Sequence, residues 1–497
     1  MERLSGIDAG FLYMETPTLH MHTLKISIVD PATAPGGYSF ARVGEVLGER
    51  LHLLPPFRRR LVEVPGGLHH PLWVEDPEFD LAHHLHRAEI AAPGGPRQLS
   101  ELISDIASRQ LDRRYPLWEL WVVEGVEHGH IGFVAKIHHA AADGVAAAAM
   151  LANLLQAEAD PEGRPRGAAD PGGRPEDAAD AGDQSEESPD PGPVAAARAS
   201  WRPEPIPAPA ERLVDAVRDL LRSLAGLPGL LGRTASGFAA VVRRRRSGAL
   251  SPPLPFSTPR TSFNRALTPN RWFAMASLPL DEVKVVRRAF DVTVNDVVLA
   301  LCAGALRRYL DERGELPDRP LLAGVPVSAG TTDQEQRLAG NRVSNLFTSL
   351  RTDIADPVER LRAIHDVTQA AKEVQHALGA ELLIDWSEIT PPLLFSAWMR
   401  LYSRLRLADR HRPPINLVIS NVPGPRQPLH IAGGRLLDIY SMGPILEGIG
   451  LNVTVWSYLD RLGFGLVACR ETMPDLWDLA DHLDDALAEL RKAAQTA

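Results

Sequence analysis

Residues Ile137–Gly144 read Ile-His-His-Ala-Ala-Ala-Asp-Gly, and this stretch decides the fold class. It joins a strand-like run, His130–Ile137, to an Ala-rich run, Val145–Gln156, that is typical of a helix. Because side chains alternate across a strand, we expect His138 and His139 to point to opposite faces, so that only one enters a given cleft. A neutral imidazole there can accept a proton from a hydroxyl near pH 7, since its unperturbed pKa is about 6.5. The stretch predicts acyl transfer to an alcohol.

The size and composition narrow the class of protein. At 497 residues the chain is too long for one ordinary core, so two domains are expected, and 44% apolar with 23% charged residues is typical of a soluble globular protein. Only two cysteines, Cys302 and Cys469, are present, which excludes a disulfide framework and favours a reduced cytosolic setting. We find no signal peptide and no transmembrane run, and no basic aromatic platform that would indicate a nucleic-acid partner. The predicted location is cytoplasmic, with peripheral binding to the inner face of the plasma membrane or to lipid droplets as an option.

An acidic segment divides the chain. Residues 157–200 contain no Leu, Ile, Phe, Tyr or Trp and carry eleven acidic residues against four arginines, which accounts for most of the net charge of −10. Such a segment cannot bury enough apolar surface to offset its ordering entropy, so it is predicted to be a disordered linker. We predict an N-terminal domain over residues 1–156, a disordered acidic and Pro-rich linker over 157–212, an amphipathic basic connecting segment over 213–255 and a C-terminal domain over 256–497.

The connecting segment has leucines and valine at helical spacing from Leu213 to Leu224 and ends in four arginines, Arg243–Arg246. Two interpretations are open: the segment lies on an anionic membrane surface, or it packs on the protein with a solvated basic end. Elsewhere, strand-like and helix-like runs are mixed in both halves, so the class is α/β in two comparable halves. The predicted strands include His22–Val29, Leu321–Val327, Ile415–Ser420 and Leu451–Tyr458, and the predicted helices Gln98–Leu111, Val297–Leu310, Val358–Leu378 and Leu476–Leu490.

Several motifs occur in order over nearly the whole length. They are Leu4–Phe11, Pro116–Glu119, His138–Gly144, Val294–Val298, Ala339–Asn341 and Asn416–Pro425. With these motifs the chain closely resembles the bacterial wax ester synthase/acyl-CoA:diacylglycerol acyltransferase family. The His-His-x3-Asp-Gly pattern is shared with chloramphenicol acetyltransferases and peptide-synthetase condensation domains, whereas the Asn-Asp and Asn-Val-Pro-Gly-Pro segments narrow the resemblance to the lipid family.

The resemblance implies a two-domain, chloramphenicol-acetyltransferase-like α/β sandwich with the active site in a channel between the halves. It implies transfer of a fatty acyl group from acyl-CoA to diacylglycerol or a long-chain alcohol, giving triacylglycerol or wax ester and free CoA. The partners are then these lipids, and no cofactor is expected besides acyl-CoA as substrate. Related carrier-protein or condensation-type acyltransferases, and a non-catalytic protein that coats lipid droplets, are the alternatives.

The resemblance also assigns roles within the central motif. It selects His139 as the general base and leaves His138 as a supporting residue. Asp143 has two interpretations, a relay that orients His139 or a cap of the following helix; the wider superfamily favours a structural role, paired with an arginine that the sequence does not identify. Gly144 permits a close backbone approach or an unusual dihedral angle.

Further candidates lie in the other motifs. Asn295 is a candidate oxyanion donor, whereas both Asn295 and Asp296 also suit the cap of a helix that begins at Val297. Pro116, Leu117 and Trp118 are either part of the acyl channel or a turn buried for packing. No metal site is predicted, because the remaining histidines lack a matching ligand constellation and the central motif lacks the helical histidine pair of a zinc protease. A Gly-x-Ser-x-Gly nucleophile elbow is also missing from the sequence.

Overall fold

The computed structural model describes residues 2–141, 156–157, 206–246, 258–328, 343–378 and 386–496. Asp143, Gly144, the helix predicted from Val145 and most of the predicted linker lie outside these residues, so those predictions stay predictions. The described part of the chain confirms the mixed α/β class.

Helices and strands alternate along the chain. The helices are α1 (Gly6–Met14), α2 (Phe40–Arg50), α3 (Pro96–Ala107), α4 (Pro209–Ala225), α5 (Leu227–Arg246), α6 (Leu280–Phe290), α7 (Val294–Glu312), α8 (Pro357–Leu378), α9 (Pro392–Arg404) and α10 (Leu476–Ala494). The strands are β1 (Glu2–Arg3), β2 (His22–Asp30), β3 (Arg59–Val62), β4 (Leu72–Glu75), β5 (Leu85–Glu89), β6 (Trp118–Val126), β7 (His130–His138), β8 (Gln156–Ala157), β9 (Arg271–Pro279), β10 (Leu322–Ser328), β11 (Val343–Ser349), β12 (Leu417–Val422), β13 (Leu429–Ile431), β14 (Gly434–Met442), β15 (Leu451–Tyr458) and β16 (Arg461–Cys469).

The strands form two large sheets and a small one. The first large sheet has the order β5-β6-β7-β2-β14-β13-β8, and the second has the order β11-β10-β12-β15-β16-β9. The small sheet has the order β1-β4-β3. Strands β13 and β14, which belong to the predicted C-terminal domain, therefore complete the sheet of the N-terminal half. The two halves share a sheet, which the sequence pattern did not indicate.

Strand β7 lies in the middle of the first sheet, and both of its faces are covered. On one face Phe133, Ala135 and Ile137 belong to the same apolar cluster as Val43 and Leu47 of α2. The opposite face of the strand packs on α3, and Val134 belongs to the same apolar cluster as residues of that helix. Because nearly every residue of β7 is buried, its register cannot slip by one residue without exchanging the two faces. This register fixes which way the residues at the end of the strand point.

Helix α7 is the central helix of the second half, and its apolar residues are buried on nearly all sides. The structure corrects its predicted start: the helix begins at Val294, not at Val297. Thr293 is the N-cap, and its hydroxyl accepts from the Asp296 backbone N–H while the Asp296 carboxylate accepts from the Thr293 N–H. This reciprocal arrangement is a capping box, so the sequence pattern located the cap two or three residues too late.

The two large sheets meet where β14 crosses β16. The backbone there comes so close that a Cβ atom at Gly465 would lie 2.0 Å from the Ser441 carbonyl oxygen. A Cβ at Gly463 would similarly lie 2.2 Å from the Ile439 carbonyl oxygen. Glycine is required at these positions for close approach rather than for its dihedral freedom.

Two helices, α4 and α5, cover residues 209–246 and break at Gly226. Helix α4 begins at Pro209, four residues before the predicted start of the connecting segment and within the predicted disordered linker, whereas residues 247–255 of the predicted connecting segment lie outside the described residues. Ala216 and Leu230 are buried, whereas Leu213, Val217 and Leu221 are exposed. Within the described residues no single helix meets the length and hydropathy expected of a membrane span, although the sharply bent pair α6 and α7 passes the same test jointly.

Candidate active site

His138 is the last residue of β7 and is fully buried. Its backbone N–H donates to the Leu117 carbonyl oxygen at 3.0 Å. Its Nδ1 accepts from the Ala140 backbone N–H at 3.0 Å, so a neutral His138 ring carries its proton on Nε2. The ring therefore ties the chain after the strand back onto the strand itself.

Glu15, which follows α1, is the buried anion of this region. Its Oε1 lies 3.3 Å from His22 Nε2 and 3.7 Å from His138 Nε2, and its Oε2 accepts from Arg113 Nη2 at 2.7 Å. Burial alone would raise the pKa of Glu15, but the two imidazoles outweigh burial and hold that pKa well below its usual range. Burial lowers the pKa of His22 well below its ordinary value, so His22 is a neutral partner.

His139 has different neighbours from His138, as the alternation of a strand predicts. Its backbone N–H donates to the Met21 carbonyl oxygen at 2.7 Å, which extends the pairing of β7 with β2 by one residue. Its half-buried ring stacks on Phe11 of α1, with ring centroids 4.2 Å apart. Burial lowers the pKa of His139 to about 4, and His138 and then Lys25 add smaller contributions in the same direction. The ring is therefore neutral at pH 7, which is the state that a general base requires.

Lys25 of β2 is a buried cation close to the junction of the two sheets. Its Nζ donates to Ser441 Oγ of β14 at 2.6 Å and lies 4.5 Å from the centre of the Trp456 ring of β15. The amine thus joins three strands, two from the first sheet and one from the second. Its charge disfavours protonation of His139, because two cations repel each other in a region of low dielectric.

A cavity lies beside Lys25, between the face of the first sheet and helix α2. Its cavity volume is about 40 Å³, which is room for the end of a narrow chain rather than for a whole ligand, and it opens to solvent. The lining is almost entirely apolar and consists of Lys25, Ser27, Val43, Val46, Leu47, Leu120, Phe133, Ala135, Ile431 and Ala432. Ala135 of β7 precedes His139, the residue directly after this strand, by four residues, which is about 13 Å at ~3.3 Å per residue. The cavity therefore begins within the length of a fatty chain from His139.

The Asn-Asp motif is held by structural contacts at the start of α7. Asp296 accepts from Thr293 Oγ1 at 2.7 Å, and its Oδ2 lies 2.8 Å from His365 Nδ1 of α8. Asn295 Oδ1 accepts from Asn421 Nδ2 at 3.4 Å, so the Asn-Asp motif and the Asn-Val-Pro-Gly-Pro motif meet here. Asp296 thus has the contacts of a structural residue, whereas the role of Asn295 toward an oxyanion stays a prediction.

Trp118 has the contacts of a packed residue. Its Nε1 donates to the Phe57 carbonyl oxygen at 2.8 Å, and its ring stacks on His84 at 4.5 Å between centroids. Leu117 is fully buried against α1 and contributes the carbonyl that His138 binds. Pro116 is also buried. A direct contact of these residues with substrate stays a prediction.

Sequence reasoning missed Phe11, Glu15, Lys25 and Arg113. One signal was available for Lys25, since a charged residue interrupts an otherwise apolar strand pattern in β2. Glu15 and Arg113 lie in loops without a recognisable spacing, so only the fold brings them together. No group of three or more His, Cys, Asp or Glu residues that could hold a metal ion occurs in the part of the chain that the structure describes.

Two sheet-rich domains with a His-His turn at the end of a central strand define a two-domain, chloramphenicol-acetyltransferase-like acyltransferase fold. The starter condensation domain of rhizomide synthetase is similar in fold, with a TM-score of 0.54 and 10% identity over 99% of this chain and 94% of that chain. A wax ester synthase/diacylglycerol acyltransferase from Marinobacter aquaeolei VT8 has a TM-score of 0.65 and 27% identity, covering 99% of this chain and 100% of that chain.

Comparison of the sequence specifies the family. The wax ester synthase/diacylglycerol acyltransferase catalytic domain matches residues 4–298, and the C-terminal domain of the same family matches residues 339–491. A Mycobacterium tuberculosis protein whose name provisionally assigns it as a diacylglycerol O-acyltransferase is 39% identical over 99% of this chain and 90% of its own length. The chain belongs to the wax ester synthase/diacylglycerol acyltransferase family, and it is an acyltransferase.

The buried carboxylate of Glu15 leads to a prediction on stability. Glu15→Gln keeps the shape but removes the charge, and we expect the free energy of unfolding at pH 7 to fall by about 3 kcal/mol, as for other broken buried pairs. Because folding lowers the pKa of Glu15, its contribution is complete above the unfolded value of about 4.3 and is lost as the pH falls through the folded value. Urea unfolding at pH 7 and at lower pH measures both effects.

Glu45→Gln is the matched control, because Glu45 pairs with Arg42 on an exposed helix surface and such pairs contribute little. An equal loss in both variants, or a Glu15→Gln deficit that does not shrink in acid, would contradict the electrostatic role of Glu15.

Proposed function

We propose that this protein transfers a fatty acyl group from acyl-CoA to the hydroxyl of diacylglycerol, and also to long-chain alcohols, to give triacylglycerol or wax ester and free CoA. The observation that carries the proposal is His139, a neutral imidazole at the end of a central strand, in a chain that the family's two domains match over residues 4–298 and 339–491. The names of the similar proteins support diacylglycerol as an acceptor.

The proposed reaction is a direct attack in a ternary complex. His139 takes the proton from the acceptor hydroxyl while that oxygen forms a bond to the thioester carbonyl carbon. Amide donors, with Asn295 as a candidate, hold the oxyanion of the tetrahedral intermediate. The carbon–sulfur bond then breaks, and His139 returns the proton to the CoA thiolate. Phe11 stacks on the ring, the Met21 carbonyl accepts from the His139 backbone N–H, and His138 and Glu15 hold the strand end behind it.

A covalent acyl-enzyme has little support from the cysteines. Cys302 is fully buried, and burial raises the pKa of its thiol to about 12, so that it is not an activated nucleophile. Cys469 is also fully buried, at the end of β16. We therefore assign the acyl transfer to direct attack of the alcohol on acyl-CoA through the tetrahedral intermediate, without an acyl-cysteine thioester.

His139→Ala is the direct test. With palmitoyl-CoA and dioleoylglycerol or hexadecanol, we expect ester formation to fall by roughly 10²–10⁴-fold, because the general base is lost. Chromatographic separation of the esters measures the loss and shows which alcohol the enzyme prefers.

Phe347→Ser serves as the control, because Phe347 is an exposed residue of β11. Unchanged ester formation by His139→Ala would refute the assignment of the base. Turnover of an acyl carrier protein thioester but not of acyl-CoA would favour a condensation-type acyltransferase, and no turnover by the wild type would favour a lipid-coating protein.

The pH dependence tests the electrostatic setting of His139. Because its pKa is lowered to about 4, we expect kcat/KM to stay level as the pH falls from 7 to about 5 and to decline only near the folded value. Lys25→Met removes a nearby positive charge, so the acidic limb of the profile moves to higher pH. Ser441→Ala removes the hydrogen-bond partner of Lys25 but not the charge, and leaves the limb in place. Identical limbs in wild type and Lys25→Met would contradict this coupling.

We further propose that the cavity beside α2 holds the far end of a fatty chain. Its apolar lining and its distance along β7 from His139 support this assignment. Leu47→Trp narrows the cavity, so we expect turnover of palmitoyl-CoA to fall relative to octanoyl-CoA by at least 10-fold, since each excluded methylene loses about 0.8 kcal/mol of burial.

Comparing octanol with hexadecanol as acceptors in the same variant shows whether the fatty chain in the cavity belongs to the acyl donor or to the acceptor alcohol. Val285→Trp, at an exposed position of α6, is the control for the added ring. If Leu47→Trp has the same dependence on acyl-chain length as the wild type, the cavity does not bind the fatty chain of the substrate.

Reaction on water-insoluble acceptors places the enzyme at a lipid surface for part of its cycle. We propose peripheral binding to the membrane or to lipid droplets, with acyl-CoA supplied from the aqueous phase. The sequence candidate for this contact is the segment from Leu213 to Arg246, and its exposed Val217 and Leu221 support a surface role.

A further inference from the structure

Helix α9 (Pro392–Arg404) carries an exposed apolar stripe. Leu394, Trp398, Leu401 and Leu405 are 71%, 52%, 46% and 45% exposed. Their spacing of four, three and four residues places them on one side of the helix. A continuous stripe that includes a tryptophan differs from the scattered apolar residues of an ordinary surface, and it marks a contact with something outside the chain.

The opposite side of α9 is packed on the protein near the active site. Phe395 packs against the cluster formed by Leu12 and Tyr13 of α1, and Met399 packs against the cluster that Phe11 also contacts. Phe11 is the residue on which His139 stacks. The helix therefore has one side against the elements that hold the catalytic ring and the other side in solvent.

Hydrogen bonds fix both ends of α9. Ahead of the helix, the Glu388 carboxylate accepts from the Gly6 backbone N–H at 2.6 Å. Near its end, Ser403 Oγ donates to Glu447 Oε1 at 2.7 Å and lies 3.2 Å from Thr16 Oγ1. Because the helix is tied at both ends, its apolar stripe is a fixed surface.

The charge around the stripe indicates the kind of partner. The only charged residues within α9 are Arg400 and Arg404, and both are exposed. Arg406, beyond the end of the helix, is neutralised by its pair with Asp409 at 2.9 Å. Apolar residues and a tryptophan flanked by arginines are the composition of helices that lie on anionic lipid surfaces.

Helix α4 offers a contrast within the same chain. It also exposes apolar residues, Val214 and Leu221 among them, but its charges are balanced. Arg218 pairs with Asp215, and Arg222 pairs with Asp219, each at 3.1 Å. Since these pairs neutralise each other, α4 has little attraction for an anionic surface.

We propose that the exposed stripe of α9, with Arg400 and Arg404, docks on the surface of a phospholipid bilayer that contains anionic lipids. This inference names the contact behind the peripheral binding in the proposed function and moves it from the predicted segment to α9. Docking there brings the membrane next to α1 and the catalytic ring, so that a lipid alcohol reaches His139 from the membrane side.

Vesicle flotation with the full-length protein tests the docking without any catalytic readout. The vesicles are phosphatidylcholine with or without about one quarter phosphatidylglycerol. We expect binding to the anionic vesicles that weakens as salt is added. Leu394→Ser combined with Trp398→Ser should lower the partition coefficient at least 10-fold, because two apolar side chains no longer enter the interface.

Arg400→Gln combined with Arg404→Gln should lower binding to the anionic vesicles by roughly 30-fold and leave binding to pure phosphatidylcholine unchanged, at about 1 kcal/mol per arginine. The matched control combines Val285→Ser with Phe347→Ser, at residues 42% and 41% exposed on other elements, and should bind as the wild type does.

Three results would overturn the proposal. Unchanged partition of the Leu394→Ser, Trp398→Ser variant is one, and loss of binding by Val214→Ser with Leu221→Ser, which would move the contact to α4, is another. The third is a wild-type protein that does not float with vesicles and sediments as a dimer, while the Leu394→Ser, Trp398→Ser variant sediments as a monomer. The stripe would then be a contact between two copies of the chain.

Measurements of ester formation distinguish a failure of this docking surface from a failure of the proposed function. The α9 variant should keep its rate with palmitoyl-CoA and a water-soluble short-chain alcohol, and should lose rate only with diacylglycerol held in anionic vesicles. Normal vesicle binding without ester formation from any acceptor would refute the proposed function and leave the docking surface standing. Equal activity of variant and wild type on vesicle-bound diacylglycerol would refute the role of docking in substrate delivery.

Discussion

The site depends on the register of a single buried strand. Because β7 is covered on both faces, each of its side chains has a fixed side, and the two histidines at its end are directed to different surroundings. His138 is committed to a buried network with Glu15 and His22, whereas His139 is left with a neutral ring against Phe11. A residue inserted anywhere in β7 would exchange these roles, so the strand specifies the chemistry as well as the fold.

Burial shifts the pKa values of the two groups at this strand end, the Glu15 carboxyl and the His139 imidazole, in opposite directions. On one side a carboxylate stays ionised although burial opposes it, because imidazoles and Arg113 surround it. On the other side an imidazole stays neutral, because burial and the charge of Lys25 both oppose its protonation. The anion stiffens the scaffold, and a neutral ring is in the protonation state that the proposed general base requires. One short turn thus separates the buried carboxylate network from the proposed base.

The sequence predicted the fold class and the local elements well, since Leu451–Tyr458 and the ends of most buried strands follow directly from apolar patterning. It located the His-His motif at the end of a strand for the same reason. It failed where contacts are long in sequence: Glu15 meets His138, and β14 joins β2, through distances that no local pattern encodes. It also placed the start of α7 three residues late, because Thr293 was not recognised as the cap.

The strand that completes the first sheet is made late. Residues 435–442 pair with residues 24–30, so β2 has β7 on one side but lacks its second neighbour until most of the chain has left the ribosome. Until then β2 presents an unpaired, largely apolar edge, which is a template for association with other chains. Separately produced halves would each expose such an edge, so the chain is expected to acquire its active site in one late, concerted folding event, in contrast to domains that mature one after the other.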